Sequence, residues 1–259
     1  MTVYPNVKLN LGLRVLGKRP DGFHELQTAF VPCYAFSDCL EIVPAASFEV
    51  DVFGPEYTGW DPSEDLSARA WRMLRADFGI PPVRISLEKR SPVGAGLGGG
   101  SADGAFTLVV LNDMFSLGLT LDKLADYASC LGSDCAFFIY NFPMYATGRG
   151  EILQPVSLPL DGWRFEVEVP HGVHVSTKEA YASLVPSGSA AADLKDTLST
   201  TPVEKWKDVI VNDFEASVFP KHPEIPALKR EMYSRGAVFA SMSGSGSAVF
   251  GIFAASKDK

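Results

Sequence analysis

An alternation of apolar and polar residues predicts a β-strand from Val7 to Val15. Apolar side chains fill every second position there, which is the period of a strand with one face in the core. Lys8 and Asn10 take intervening positions, so we expect them to share the non-core face. The turn residues Pro20-Asp21-Gly22 then predict a second strand from about Phe23 to Tyr34.

Three helical patterns follow. Asp61-Pro62-Ser63-Glu64 combines a capping residue, a proline at the first helical position and a glutamate at the third, and Gly79 is the expected C-cap of that helix. A second helix is expected to begin near Ser101. Thr120 caps a third helix, which Gly132 ends.

The second half of the chain indicates a compact α+β arrangement. In chain order, the pattern predicts a strand-like segment at Phe137–Thr147, a strand from about Trp163, a helix from Thr177, a stretch of small residues at Pro186–Asp193, a helix at about Glu224–Arg235, and strands at Val238–Ser241 and Ala248–Phe253.

Composition narrows the class of protein. The chain has 259 residues, 46% of them hydrophobic, which is enough for one large domain or two small ones. Its net charge of −8 disfavours nucleic acid as a partner. No apolar run reaches the ~18 residues of a membrane span, and Met1–Asn10 lacks a secretory signal. The cysteines form no C-x-x-C pair, so buried, reduced thiols and a cytoplasmic location are expected for Cys33, Cys39, Cys130 and Cys135.

The segment Pro92–Ala102 carries the strongest chemical signal. Five glycines lie within the seven residues 94–100, between a predicted strand and a predicted helix. Glycine permits positive φ and close approach of a ligand to backbone N–H groups, and a helix N-terminus attracts anions. The pattern favours a phosphate-binding loop over a flexible linker.

Three other phosphate-binding classes do not fit this loop. No lysine follows its last glycine, so it is not a Walker A loop. It matches G-x-G-x-x-G, but Thr120 begins another helix where a dinucleotide fold needs a strand. Asp77-Phe78-Gly79 precedes the loop, and no H-R-D follows, which excludes a protein kinase.

Three further groups of residues leave alternatives open. Ser241–Ser247 is either a plain glycine hairpin or a second cluster of N–H groups facing the same phosphate. Asp134, after Gly132, is by itself an ordinary turn residue. His171 and His174 near Glu166 and Glu168 give only weak evidence of a metal, so no protein-held metal is assigned.

The order of the motifs resembles the superfamily of galactokinase, homoserine kinase, mevalonate kinase and phosphomevalonate kinase, the GHMP kinases. The glycine loop indicates the superfamily. The block Arg19–Leu26, which reads R-P-D-G-F-H-E-L, resembles the branch that phosphorylates 4-diphosphocytidyl-2-C-methyl-D-erythritol. The matching segments are Lys8–Leu11, Arg19–Leu26, Pro92–Ala102, Gly132–Asp134, Gly148–Glu151 and Ser243–Ser247.

The resemblance implies an α+β, two-domain GHMP kinase fold. Residues 1–156 would form the N-terminal domain, which is ribosomal protein S5 domain 2-like and has a left-handed βαβ crossover. Residues 157–259 would form a ferredoxin-like C-terminal domain. The implied reaction is ATP-dependent phosphorylation of the substrate's 2-hydroxyl in non-mevalonate isoprenoid synthesis.

The resemblance also implies roles for individual residues. Asp134 would be the catalytic base, and Lys8 would neutralise charge beside it. Mg²⁺ would arrive with ATP, near Ser101. ATP would bind to Pro92, Gly94, Gly96, Leu97, Gly98, Gly99, Gly100, Ser101, Ala102, Gly244 and Ser245. The substrate would bind to Asn10, Phe23, His24 and Thr177, with Phe23 stacked on the cytosine and His24 bonded to its edge.

The chain departs from the family pattern at several positions. Phe23 replaces the usual tyrosine, and Asp65 replaces an asparagine. Cys135-Ala136 stands where valine or isoleucine followed by proline is common, and the chain stops soon after Phe253. The expected partners are ATP and a small molecule, with neither nucleic acid nor membrane, in a monomer or weak homodimer. The alternatives are another GHMP kinase such as homoserine or mevalonate kinase, a non-catalytic nucleotide sensor, and an RNA-binding module.

Overall fold

The computed structural model describes residues 1–184, 186 and 193–255. Its strands are β1 Thr2–Val3, β2 Asn6–Lys18, β3 His24–Ser37, β4 Cys39–Pro44, β5 Glu49–Phe53, β6 Val83–Glu88, β7 Met144–Thr147, β8 Ile152–Pro155, β9 Trp163–Glu168, β10 Phe239–Met242 and β11 Val249–Ala254. Its helices are α1 Leu66–Phe78, α2 Gly99–Met114, α3 Leu121–Leu131, α4 Cys135–Tyr140, α5 Thr177–Ala182, α6 Leu194–Thr200, α7 Trp206–Val209, α8 Phe214–Val218 and α9 Glu224–Ser234. Of the small-residue stretch expected at Pro186–Asp193, only the two end positions are among the described residues.

The chain packs into two compact units whose segments alternate along the sequence. The first unit comprises Met1–Val7, Phe36–Val93 and Gly98–Phe142. The second comprises Lys8–Ala35, Gly94–Leu97 and the described residues from Pro143 onward. The boundary between residues 156 and 157 that the family resemblance implies stays a prediction.

The first unit contains a four-stranded sheet in the order β1-β4-β6-β5. β4 runs antiparallel to β1 and β6, whereas β5 runs parallel to β6 and is joined to it through α1. The apolar residues Val83, Ile85 and Leu87 of β6 are buried, as their two-residue period requires. Helices α1 to α4 pack against one another, and α2 also packs against β4.

The second unit contains two sheets, in the orders β2-β3-β7-β8 and β10-β11-β9. In the latter, β11 pairs antiparallel with both neighbours. A buried apolar cluster joins β2 to helices α5, α8 and α9 and to both strands of the β10–β11 pair. Its members include Leu13, Val15, Val175, Phe214, Val218, Ile225, Met232, Ala240, Met242, Val249 and Phe253.

The structure corrects the prediction that β2 has one core face. Every residue from Asn6 to Val15 is buried, including Lys8 and Asn10. The alternation marks the apolar face correctly, but the polar face is covered as well, since Ser243 and Gly96 lie against it. The β10–β11 loop that supplies Ser243 is far away in the sequence, so the local pattern carries no sign of this burial.

The prediction that the segment Phe137–Thr147 is strand-like throughout is wrong. Its first part belongs to α4, Asn141 ends that helix at φ 52°, and only Met144–Thr147 is a strand. The apolar run of α4 is buried on all sides, so it has no helical period that a sequence could show.

The predicted capping residues lie at helix ends in the structure, but the starts of α1 and α2 differ from those predicted. Gly79 takes φ 64° and bonds to Arg75, and Thr120 accepts a bond from the Lys123 N–H, as predicted. Asp61 caps a separate 3₁₀ turn, and α1 itself begins at Leu66 behind Asp65. Helix α2 begins two residues before Ser101.

All four cysteines are free, but only Cys33 and Cys135 are buried. The expected burial is wrong for Cys130, which is exposed, and for Cys39, which is half-buried. Among the described residues, no helix is both long enough and apolar enough to cross a bilayer.

Candidate active site

Lys8 and Asn10 form a buried polar pair on β2. Two residues apart on a strand, their side chains point the same way, and Lys8 Nζ donates to Asn10 Oδ1 over 2.5 Å. Lys8 Nζ also donates to the carbonyl of Gly96 at 3.2 Å and lies 5.0 Å from the centre of the Phe30 ring. The cation is thus held beside the glycine loop.

Hydrogen bonds fix both the side-chain amide and the backbone of Asn10. Its Nδ2 donates to Thr28 Oγ1 at 3.1 Å, and the Thr28 hydroxyl donates in turn to the carbonyl of Gly12. The backbone N–H of Asn10 donates to Ser243 Oγ at 3.3 Å. The amide oxygen is therefore turned towards Lys8.

The loop segment Gly94–Leu97 turns its carbonyls inward. Those of Ala95, Gly96 and Leu97 accept bonds from Ala248 N, Ser243 Oγ and Lys8 N. None of the four N–H groups of the segment has a hydrogen-bond acceptor in the described part of the chain. These free N–H groups are the kind that bind an anion.

Glycine is required at position 96. The residue has φ 79°, and a Cβ there would lie 2.1 Å from the carbonyl oxygen of Ser243. Gly94 also has positive φ, at 71°. The segment can follow this path only with glycine at these two positions.

The rest of the predicted loop begins α2 in the first unit. Gly98 precedes the helix in a left-handed conformation, with φ 74° and ψ 17°. The N–H groups of Gly99, Gly100 and Ser101 have no acceptor among the described residues, and the first turn carries no acidic side chain. Ala102 N is the first to bond within the helix, to Gly98 O at 3.0 Å.

The hairpin Ser243–Ser247 lies between β10 and β11. Asn212 Nδ2 donates to the carbonyls of Met242 and Gly244, each over 2.8 Å, which holds the turn in place. Ser245 Oγ lies 3.4 Å from Thr177 Oγ1, at the start of α5. Of the predicted binding residues, the second unit thus brings Gly244, Ser245 and Thr177 near the Gly94–Leu97 segment.

The residues predicted to bind cytosine lie at the start of β3. His24 is half-buried and stacks on Tyr181, with ring centres 4.4 Å apart. Phe23 is 53% exposed, and the guanidinium of Arg149 lies 4.7 Å from its ring centre. Sequence reasoning missed Tyr181, although its position four residues after Thr177 places both on one helix face.

Asp134 immediately precedes α4 in the first unit. Its neighbour Cys135 is buried, and burial raises the pKa of that thiol to about 12, against a smaller lowering by the Ser101 side chain. Helices α2 and α4 pack against each other in the first unit. Lys8 belongs to the second unit, so its pairing with Asp134 stays a prediction.

A buried charged cluster, which sequence reasoning also missed, lies behind the start of α2. We call it the Lys89 cluster: Lys89, Asp38, Ser91 and Asp103. The ammonium of Lys89 donates to a carboxylate oxygen of Asp38 and, over 2.6 Å, to Asp103 Oδ2. A Cβ on Gly99 would lie 2.5 Å from Ser91 Oγ, so the cluster packs directly against the first residue of α2. A lysine that interrupts a buried run shortly before the glycine loop was the available signal.

The two carboxyl groups of this cluster differ in pKa. Burial raises the pKa of Asp38, but the Lys89 charge and the hydrogen bonds from Lys89 and Ser91 bring it below its ordinary value. Burial raises the pKa of Asp103 well above its ordinary value. The Lys89 charge lowers this pKa and the Asp38 charge raises it, but burial is the largest cause. Burial alone would lower the pKa of Lys89, but the interactions with Asp103 and Asp38 outweigh it. The pKa of Lys89 therefore lies above its ordinary value.

The weak metal motif is not assembled. Glu166 and Glu168 bind Arg235 instead of meeting His171 or His174. Within the described ranges, no three His, Cys, Asp or Glu side chains are grouped as metal ligands.

Comparison with known proteins gives the family. The family model of the GHMP kinases N terminal domain matches residues 65–142, and that of the GHMP kinases C terminal matches residues 203–259. A 4-diphosphocytidyl-2-C-methyl-D-erythritol kinase of Bacteroides thetaiotaomicron is 47% identical, covering 98% of this chain and 92% of the relative.

Solved structures agree with this placement. A crystal structure of a 4-(cytidine 5'-diphospho)-2C-methyl-D-erythritol kinase matches with TM-score 0.78 and 33% identity, over 97% of this chain and 89% of that one. A homoserine kinase from Cytophaga hutchinsonii matches with TM-score 0.70 over 98% of this chain and 86% of that one, but at 16% identity this likeness concerns the fold alone. The predicted α+β GHMP kinase fold is confirmed. The chain therefore belongs to the GHMP kinases and, within them, to the 4-diphosphocytidyl-2-C-methyl-D-erythritol kinase family.

Proposed function

We propose that this chain transfers the γ-phosphoryl group of ATP to the 2-hydroxyl of 4-diphosphocytidyl-2-C-methyl-D-erythritol, as a step of non-mevalonate isoprenoid synthesis. The observation that carries the proposal is the 47% identity to a relative of that name over nearly the whole chain. The block Arg19–Leu26, which distinguishes this branch from other GHMP kinases, supports the same substrate.

ATP would place its phosphates on the segment from Pro92 to Ala102. The free N–H groups at Gly94–Leu97 and at the first turn of α2 support this, because they supply donors for phosphate oxygens. The Ser101 hydroxyl would lie near the β-phosphate. Mg²⁺ bound to ATP would neutralise phosphate charge, and the residues of the chain would hold and orient the nucleotide.

Asp134 would take the proton of the attacking 2-hydroxyl. A tertiary alcohol is a weak nucleophile, and a base within hydrogen-bond reach contributes about 10²–10⁴ in rate. Lys8 would stabilise negative charge that develops on the transferred group, supported by its buried position beside the Gly96 carbonyl. Asn10 would hold the Lys8 ammonium and contact the substrate.

The cytosine would stack on Phe23, while His24 would bond to its edge. The exposed ring of Phe23 supports stacking, and the contact with Tyr181 supports a fixed orientation of His24. Thr177, close to Ser245, would line the same region. Free cysteines agree with action in the cytoplasm, and we expect a monomer or weak homodimer.

The competing functions make different predictions. A nucleotide sensor would have lost its base and cation, but Asp134 and Lys8 are both present. An RNA-binding module conflicts with the net charge of −8. Another GHMP kinase would act on homoserine or mevalonate.

The test is ADP release with Mg²⁺-ATP and 4-diphosphocytidyl-2-C-methyl-D-erythritol, comparing wild type with Asp134→Asn. Substrate-dependent turnover that falls at least about 10²-fold in the variant is the expected result. Turnover only with homoserine or mevalonate would move the chain to another branch. ATP binding without turnover on any alcohol would favour the sensor.

A further inference from the structure

We propose that His174 is an additional phosphate-binding residue, which contacts a phosphate oxygen bound at the Gly94 end of the glycine loop. The inference rests on the proposed function, because that function supplies two phosphate-containing ligands. It begins from a histidine that the function leaves unused.

His174 packs against the first glycine of the loop. A Cβ built on Gly94 would lie 2.8 Å from Cε1 of the His174 imidazole and 3.2 Å from Nδ1. Both residues belong to the second unit. The absence of a side chain at Gly94 thus leaves space for this ring.

The backbone around His174 is anchored on both sides. Val173 O accepts a bond from Ser247 Oγ over 2.8 Å, and Val175 is buried in the apolar cluster of the second unit. Thr177, just beyond, lies beside Ser245. The exposed histidine is therefore held on the loop by its neighbours.

The ring nitrogens of His174 have no hydrogen-bond partner in the described part of the chain. The N–H groups of Gly94 to Leu97 beside them are also free. Donors grouped in this way attract an anion and repel a cation, and an imidazole adds one more donor. The ligand chemistry that fits is a phosphate oxygen, from either the ATP triphosphate or the substrate diphosphate.

The test compares His174→Ala, His174→Gln and the matched control His171→Ala. His171 is exposed on the same loop, three residues earlier. Binding of ADP and of CDP is measured by calorimetry without turnover, and KM for both substrates is measured alongside. We expect His174→Ala to lower the affinity for one of the two ligands about tenfold, which corresponds to the loss of one hydrogen bond to a charged group. Glutamine keeps a donor and should recover most of the affinity, and His171→Ala should match wild type.

The outcomes separate the sources and the hypotheses. Weaker ADP binding assigns the contact to the nucleotide, and weaker CDP binding assigns it to the substrate. Unchanged affinity for both, an equal loss in His171→Ala, or a loss confined to kcat overturns the inference. A wild type that binds ADP but phosphorylates no alcohol contradicts the proposed function. The test of His174 still stands in that case, because the binding of ADP and CDP is measured without turnover.

Discussion

Asp38 and Asp103 share the ammonium of Lys89, but they are unequally hydrogen-bonded. Asp38 accepts from Lys89, from the backbone N–H groups of Arg90 and Ser91, and from the Ser91 hydroxyl. Asp103 accepts from Lys89 alone, and its buried Oδ1 has no partner among the described residues. One cation cannot balance two buried anions, so the proton that makes the cluster neutral belongs on Asp103.

This asymmetry predicts that replacing each aspartate by asparagine has very different effects on stability. Asp38→Asn leaves Lys89 without its main counter-charge and should lower the free energy of unfolding by about 3–5 kcal/mol. Asp103→Asn replaces a neutral carboxyl by a neutral amide and should cost less than about 1 kcal/mol. Urea denaturation at pH 7 measures both, and equal losses would show that both carboxylates are ionised.

The raised pKa of Asp103 also predicts a pH dependence. Above the unfolded pKa of about 4, the unfolded chain releases this proton while the native protein keeps it. The contribution of Asp103 to stability is therefore complete below that pH and declines as pH rises towards the native pKa.

Comparing Asp103→Asn with wild type from pH 4.5 to 7.5 isolates this contribution. As pH rises, the free energy of unfolding of the variant should increase relative to that of wild type, by at most about 1.4 kcal/mol per pH unit. A constant difference would contradict a raised native pKa.

Gly96→Ala should disrupt the loop. The methyl group would collide with the Ser243 carbonyl at a residue whose φ is 79°, so we expect a loss of about 2 kcal/mol or more in stability and weaker ATP binding. Gly100→Ala is the matched control for stability alone, because its Cβ meets nothing within 4 Å. Thermal denaturation should find this control as stable as wild type or slightly more so, and ATP titration compares Gly96→Ala with wild type.

Lys8→Met should reduce kcat, and it should also lower stability by about 1–3 kcal/mol because the buried Asn10 Oδ1 loses its donor. The variant keeps the apolar stem but loses the charge, and removing one such stabilising group typically costs about 10²–10³ in rate. Lys123→Met, at an exposed lysine of α3, controls for the substitution itself. Steady-state kinetics would contradict the proposed role if both variants retained full kcat.

Phe23→Ala should raise KM for the cytidine-containing substrate about tenfold, given that base stacking contributes about 1–3 kcal/mol. KM for ATP should not change. Phe23→Tyr restores the residue usual in the family and should resemble wild type. Tyr34→Ala, at a 71% exposed aromatic of β3, is the control. Equal KM in the alanine variant and wild type would exclude stacking on Phe23.

Local sequence predicted the elements whose signals are local. The alternation from Val7 to Val15, the cap at Thr120 and the left-handed Gly79 all appear where expected. Burial of Lys8 and Asn10 could not be predicted, because Ser243 lies more than two hundred residues away along the chain. The fully buried run of α4 has no amphipathic period to detect.

For the same reason, the residues of the candidate site are only partly recognisable in the sequence. Gly94 and Gly96 can be recognised in the sequence because they are glycines in a glycine-rich loop. Lys8 and Asn10 can be recognised as a pair because they are two residues apart on a predicted strand. Asp38 and Asp103 look like ordinary polar residues in the sequence. Only the fold brings them to Lys89, so the position of that lysine after an apolar run hints at the cluster but does not identify its carboxylates.

The bond from Ser243 to the Gly96 carbonyl spans 147 positions of the chain. During translation, the segment Gly94–Leu97 leaves the ribosome long before the residues that hold its carbonyls have been synthesised. A nascent chain without the β10–β11 hairpin would therefore lack a formed loop at Gly96. Under the proposed function, nucleotide binding at this loop would begin only after that hairpin has been synthesised.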